Sequence, residues 1–139
     1  PTFPPLAPIP RPSPAPTPTP DPPENDVCSD AIAVLSDGGS TSGSISFAET
    51  DNVDRCGDVT TNGPGVWYYV LGTCGEMMAH TCLNTAFDSK ITIFKGPCSK
   101  PLCLEANEDF CSTQSAVSWE SVYRQVYRIL VHGDPGSVG

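Results

Sequence analysis

The stretch VWYYVL, residues 66–71, decides the fold. Its β-branched and aromatic residues suit a pleated, half-buried surface better than a helix. It follows the turn signal NGPG (62–65) and runs into a second one, GTCGE (72–76). EMMAHTCL (76–83) then returns, so the two segments read as a hairpin. The same reading extends outward. Upstream, GSISFAET (43–50) alternates, with Ile45 and Phe47 on one face. Downstream come SKITIFKG (89–96), PLCLEAN (101–107), SAVSWE (115–120) and YRQVYRILVHG (123–133). Short strands at this spacing, with Gly, Pro, Asn and Asp between them, predict an all-β antiparallel sandwich or barrel. AIAVL (31–35) is either a short helical turn or a first strand. No segment sustains a helical period.

Before this body the composition changes. Of 16 prolines in 139 residues, 12 fall within residues 1–23. About 110 residues remain without that arm, one ordinary domain with a single core. The expected organisation is an extended arm over 1–23, a β-sandwich over 24–134 and a tail over 135–139. The first residue is Pro, not Met, so the start is expected to be a processed end, or only the first residue known. No apolar run approaches the 18 or so residues of a membrane helix, and no membrane insertion is expected. Arg11 is the one charge in residues 1–20, whereas the rest holds all 16 acids against six Lys and Arg. An acidic body repels phosphate backbones, so nucleic acid is excluded as the expected partner.

The arm has two parts. In PTFPPLAPIP (1–10), Phe3, Leu6 and Ile9 sit three apart. A chain this dense in proline favours polyproline II, with three residues per turn, which places the three side chains along one edge. Residues 1–12 therefore read as a docking stripe; the competing reading is a spacer whose apolar residues fall there by chance. SPAPTPTP (13–20) alternates Ser, Ala or Thr with Pro and reads as a semi-rigid spacer through residue 23. It resembles the Xaa-Pro repeats of plant and algal cell-wall glycoproteins, in which proline is hydroxylated and glycosylated. The resemblance implies O-glycans on Ser13, Thr17, Thr19 and the prolines beside them, Pro14, Pro16, Pro18 and Pro20. No Asn-x-Ser/Thr sequon occurs.

Seven cysteines without a CxxC pair, and two histidines without zinc spacing, predict disulfides and an oxidising, extracellular setting. Cys98 and Cys103 flank a short loop and are expected to bridge. Cys28 and Cys56 are expected to tie down the first segment, leaving Cys82 with Cys111. Cys74, at the supposed hairpin turn, is the expected odd thiol, because its partner across that turn would be about residue 77.

The series GVWYYV, TAFDSKITIF, LEANEDF, SAVSWESV and VYRILVHG resembles the bacterial pre-peptidase C-terminal domain, and its cysteine-rich relatives in secreted algal and protist proteins more closely. The resemblance covers roughly residues 26–133. The matching positions are Trp67, Tyr69, Phe87, Asp88, Ile91, Ile93, Asn107, Asp109, Tyr127, Val131 and Gly133. It implies a small jelly-roll-like sandwich without catalytic residues, an adhesion, targeting or packing module. The extra cysteines, the arm and the lack of a peptidase domain depart from the bacterial form, so a protease-accessory role does not carry over.

No catalytic constellation is expected. His80 and His132 stand in no nucleophile-elbow or zincin motif. Glu105, Asn107 and Asp109, with Glu108, have the oxygen chemistry of a Ca²⁺ loop, as do Asp51, Asp54 and Asp58. Neither set matches an EF-hand or RTX pattern, so solvated loops are expected, with no metal and no cofactor. Trp67 and Trp119 lie in alternating strands and are expected in the core, not in a sugar-stacking platform.

Twenty residues of polyproline II reach roughly 60 Å, beyond a domain about 35 Å across. An arm docking on a second copy makes a heterologous contact, which builds an open filament when the rotation does not close. The expected function is therefore a non-catalytic subunit of a glycan-coated extracellular fibril, whose partners are copies of itself and covalent glycans. The alternative is a monomeric module on a glycosylated stalk that binds polysaccharide or another surface polymer.

Overall fold

Val, Ile, Tyr and Phe, gathered between turn residues, build nearly all the regular structure of this chain. The computed structural model describes residues 2–12, 20–83 and 85–139. After one 3-10 turn, Cys28–Asp30, come strands β1 (Ile32–Ala33), β2 (Gly65–Leu71), β3 (Glu76–His80), β4 (Lys90–Lys95), β5 (Leu102–Asn107), β6 (Ala116–Glu120) and β7 (Val126–His132). AIAVL thus supplies a strand directly after the 3-10 turn.

The strands form two sheets. Five lie in the order β1-β2-β7-β4-β5, and β3 pairs with β6 alone. β1 runs parallel to β2; the other pairs are antiparallel. β7 sits at the centre, with Tyr68 and Ile93 both opposite Ile129. The pleat then sorts the side chains. Val66, Tyr68, Val70, Ile91, Ile93, Tyr127 and Ile129 point to one face and pack with Val117 and Trp119 of β6. Trp67, Phe94 and Leu130 point to the other, where Cys28, Ala31 and Val53 cover them. A sheet buried on both faces explains why VWYYV reads as a continuous apolar run. Both tryptophans are in the core, Trp67 at 1% exposure and Trp119 at 6%.

Two strand expectations are corrected. β2 and β3 are not a hairpin, because β2 pairs with β1 and β7 while β3 crosses to the other sheet. GSISFAET is not a strand. The Ala48 N–H donates to the Ile45 carbonyl over 3.0 Å, closing a turn where a ladder was expected. Phe47 takes φ 65°, the left-handed region, and Thr50 makes only an isolated bridge to Pro64. Ile45 is therefore buried at 1% and Phe47 is 65% exposed, on no common face.

Three disulfides staple the body: Cys28–Cys98, Cys56–Cys103 and Cys82–Cys111, with Cα separations of 5.7, 5.6 and 5.7 Å. Two of the expected pairings exchange partners. Cys103 stands inside β5 opposite Phe94, so the pleat fixes its side chain, whereas Cys98 lies in the loop beyond β4. The two cannot face each other. Cys103 instead meets the tight turn in which Cys56 and Val59 exchange backbone hydrogen bonds of 3.1 Å. Cys98 meets the 3-10 turn that carries Cys28. Cys74 is exposed and unpaired.

Candidate assembly site

Residues 2–12 form no helix or strand, and Phe3, Leu6 and Ile9 are 92%, 97% and 92% exposed. Ser13, Pro14, Pro16, Thr17, Pro18 and Thr19 lie outside the described residues; Pro20 is exposed. The chain joins the body at Asn25, whose side-chain amide donates to the Trp67 carbonyl over 2.8 Å. The Trp67 N–H donates in return to the Asn25 carbonyl, 2.9 Å.

Beside this root the body carries an open groove of about 360 Å³. Ile45 forms its floor; Phe47, Ala48, Pro64, Pro135 and Val138 line it. Two turns shape it. The Ile45 N–H donates to the Gly139 carbonyl over 2.8 Å, joining the first turn to the C-terminal segment. The second turn, Asp134–Ser137, closes with a 3.0 Å backbone bond and needs Gly136 at φ 84°. Phe47 and Val138 stay largely in water.

Three carboxylates lie near the groove residues Ala48 and Thr50. Glu49 follows Ala48 and is exposed, and its N–H donates to Asp26 Oδ1 over 2.8 Å. Asp51 Oδ1 accepts the indole N–H of Trp67, also at 2.8 Å, while its Oδ2 is buried without a partner. Burial pushes the Asp51 carboxyl up to about 6; the Trp67 bond opposes this, and Asp26 and Glu49 add to it by repulsion.

Nothing in the sequence pointed to this groove. Its walls come from residues some ninety positions apart, and the one local signal, Pro135-Gly136, announces a turn and no more.

The other candidates fall elsewhere. Glu105 and Asn107 lie two apart on β5, and Asp109 follows the strand. Among the described residues no group of three His, Cys, Asp or Glu is placed to hold a metal ion. Asp58 lies within the Cys56–Val59 turn, away from the Asp51–Trp67 bond. His80 Nδ1 accepts the Cys82 N–H over 3.3 Å. His132 is fully buried on β7, its Nε2 sharing a 2.9 Å hydrogen bond with Thr92 Oγ1. Burial lowers its pKa to about 4; nearby Lys90 lowers it further and Asp134 opposes. Lys90, itself buried, is neutralised by Asp134 at 2.7 Å. No helix among the described residues is long and apolar enough to cross a membrane. Comparison with protein-family models, curated proteins and solved structures found no match to this chain.

Proposed function

We propose that this chain is a non-catalytic structural subunit of an extracellular glycoprotein filament, in which the proline-rich arm of one copy docks on the body of the next. The observation that carries this reading is the exposure of Phe3, Leu6 and Ile9, each above 90% and each more exposed than any large apolar residue of the body. Three disulfides in so short a chain fit the oxidising setting in which extracellular fibres form. An arm in polyproline II has little conformational entropy left to lose, so it docks at lower cost than a flexible chain. O-glycans on residues 13–20 sheathe the fibre between tip and body.

Full burial contributes about 1.5–3 kcal/mol per side chain of this size. Three such side chains give about 5–9 kcal/mol, within the range of the association cost itself, about 4–15 kcal/mol. One arm is thus a weak contact, and repetition along a fibre makes it persistent. The test replaces Phe3, Leu6 and Ile9 together by Ser and compares sedimentation with the parent at equal concentration. The parent should assemble while the variant stays a folded monomer. If both remain monomeric, the chain is a stalked binding module instead. If both assemble alike, the body makes the contacts and the stripe is idle.

A further inference from the structure

We infer that the groove floored by Ile45 and walled by Phe47 and Val138 is the receptor for the arm of a second copy, with Arg11 of the arm directed to the exposed Glu49 carboxylate beside it. This rests on the filament reading and adds the surface to which the arm binds.

Four observations single out this surface. First, the lining combines one exposed aromatic ring, Phe47, with Ile45, Val138 and two prolines, an apolar surface of the kind that receives polyproline II segments. Phe47 holds its ring in water from a left-handed backbone conformation that an aromatic residue rarely adopts. Strained outliers of this kind cluster at binding sites. The groove, about 360 Å³, is within the usual size range for a bound segment's side chains.

Second, the charges complement. Arg11 is the one charge of residues 1–20, two positions beyond the stripe. Glu49, exposed, stands between the groove residues Ala48 and Thr50, with the buried Asp26 and the half-buried Asp51 behind it. A guanidinium paired with Glu49 fixes the direction in which the arm lies.

Third, three other surfaces suit the arm less well. Strand addition at the free edge of β5 would turn Leu6 to the opposite face from Phe3 and Ile9, because strand side chains alternate. The depression between the Cys56 turn and β5 is lined by Asp58, Glu105 and Glu108 and offers no aromatic ring. The exposed Tyr123 already carries the Arg124 guanidinium 5.3 Å from its ring centre, a charge that repels Arg11.

Fourth, reach favours another copy over the arm's own body. Ile9 and the root at Asp26 are 17 residues apart. In polyproline II that is roughly 50 Å, more than the domain's own width of about 35 Å.

The test uses the full chain with a benzoylphenylalanine photo-crosslinker at position 6, mixed with an isotope-labelled parent. Irradiated assemblies should give links from position 6 to peptides containing Phe47, Pro64 or Val138 of the other isotope. Alongside, Phe47→Ser should raise the concentration needed for assembly about tenfold or more, with an unchanged circular dichroism spectrum. Glu49→Lys should weaken assembly, and Arg11→Glu in the same chain should restore it. Links to another face of the second copy, or assembly without any link, overturn this receptor and leave the filament standing. Links within one copy overturn both. Parent protein that stays monomeric removes the filament reading and this inference with it. Equal assembly of Phe47→Ser and parent, with the arm's triple Ser variant monomeric, overturns the receptor alone.

Discussion

The indole N–H of Trp67 donates to Asp51 Oδ1 over 2.8 Å, so a carboxylate from an irregular loop is anchored to the five-stranded sheet from beneath. That bond leaves Asp51 Oδ2 buried and unpartnered, a position better suited to a protonated acid than to a carboxylate.

The folded pKa of Asp51, about 6, stands above its ordinary value of 3.8. The fold therefore binds a proton more tightly than the unfolded chain. This contribution is fully present below pH 3.8 and is lost as pH rises through 6. Asp51→Asn keeps an acceptor for Trp67 and cannot ionise. Urea unfolding at pH 4 and 7 should show the parent losing about 1–2 kcal/mol relative to the variant, after allowance for solvent screening. A parent that gains on the variant over that interval reverses the sign and rejects the assignment.

His132 acts in the opposite direction. Its folded pKa, about 4, lies below the ordinary 6.5. Its contribution is fully present above pH 6.5 and is lost as pH falls through 4, because the unfolded chain then binds the extra proton. Relative to His132→Gln, the parent should lose up to about 3 kcal/mol as pH falls from 7 to 4. The Asp51 and His132 windows overlap with opposite slopes, so parent and double variant should both vary little between pH 4 and 6, while each single variant should slope in its own direction. A persistent slope in the double variant would point to other groups.

The disulfide pairing is directly measurable. Peptide mapping without reduction should yield the Cys28–Cys98, Cys56–Cys103 and Cys82–Cys111 pairs and a free Cys74. A Cys98–Cys103 peptide would refute the register of β4 against β5. Replacing Cys56 and Cys103 together by Ser should cost about 2–4 kcal/mol in denaturant unfolding.

Glycans should be confined to the arm. Intact mass should exceed 14.7 kDa by a ladder of sugar increments, all mapping to peptides from residues 10–23. A single unmodified mass for those peptides removes the sheath from the proposed fibre.

The strands were legible because their signal is local. β2, β4, β6 and β7 combine β-branched or aromatic content with flanking turns, and their side-chain parity follows from the pleat. Strand partners were not legible. The pairing of β2 with β7 joins residues some sixty positions apart, and the crossing of β3 to another sheet leaves no mark in GTCGE. In GSISFAET the alternation of Ile45 and Phe47 is a coincidence of spacing, since nothing local shows that Phe47 turns left-handed. The exchanged disulfides follow from the same gap, because connectivity depends on register. The apolar stripe of the arm was visible at once, whereas the groove beside Ile45 exists only after folding has brought residues 45–50 and 135–138 together.

The Cys28–Cys98 bond joins positions 70 residues apart, the first of them only two residues beyond Asp26. Tension applied to the arm therefore meets the hydrogen bonds of Asn25 to Trp67 of β2 first, and then a covalent link at Cys28 that passes it to Cys98, just past the end of β4. The short β1, which would otherwise peel away first, is spared because the load bypasses it. The load is thus shared between β2 and the end of β4, the two strands that flank the central β7, so the domain is gripped like a rope splice at two points.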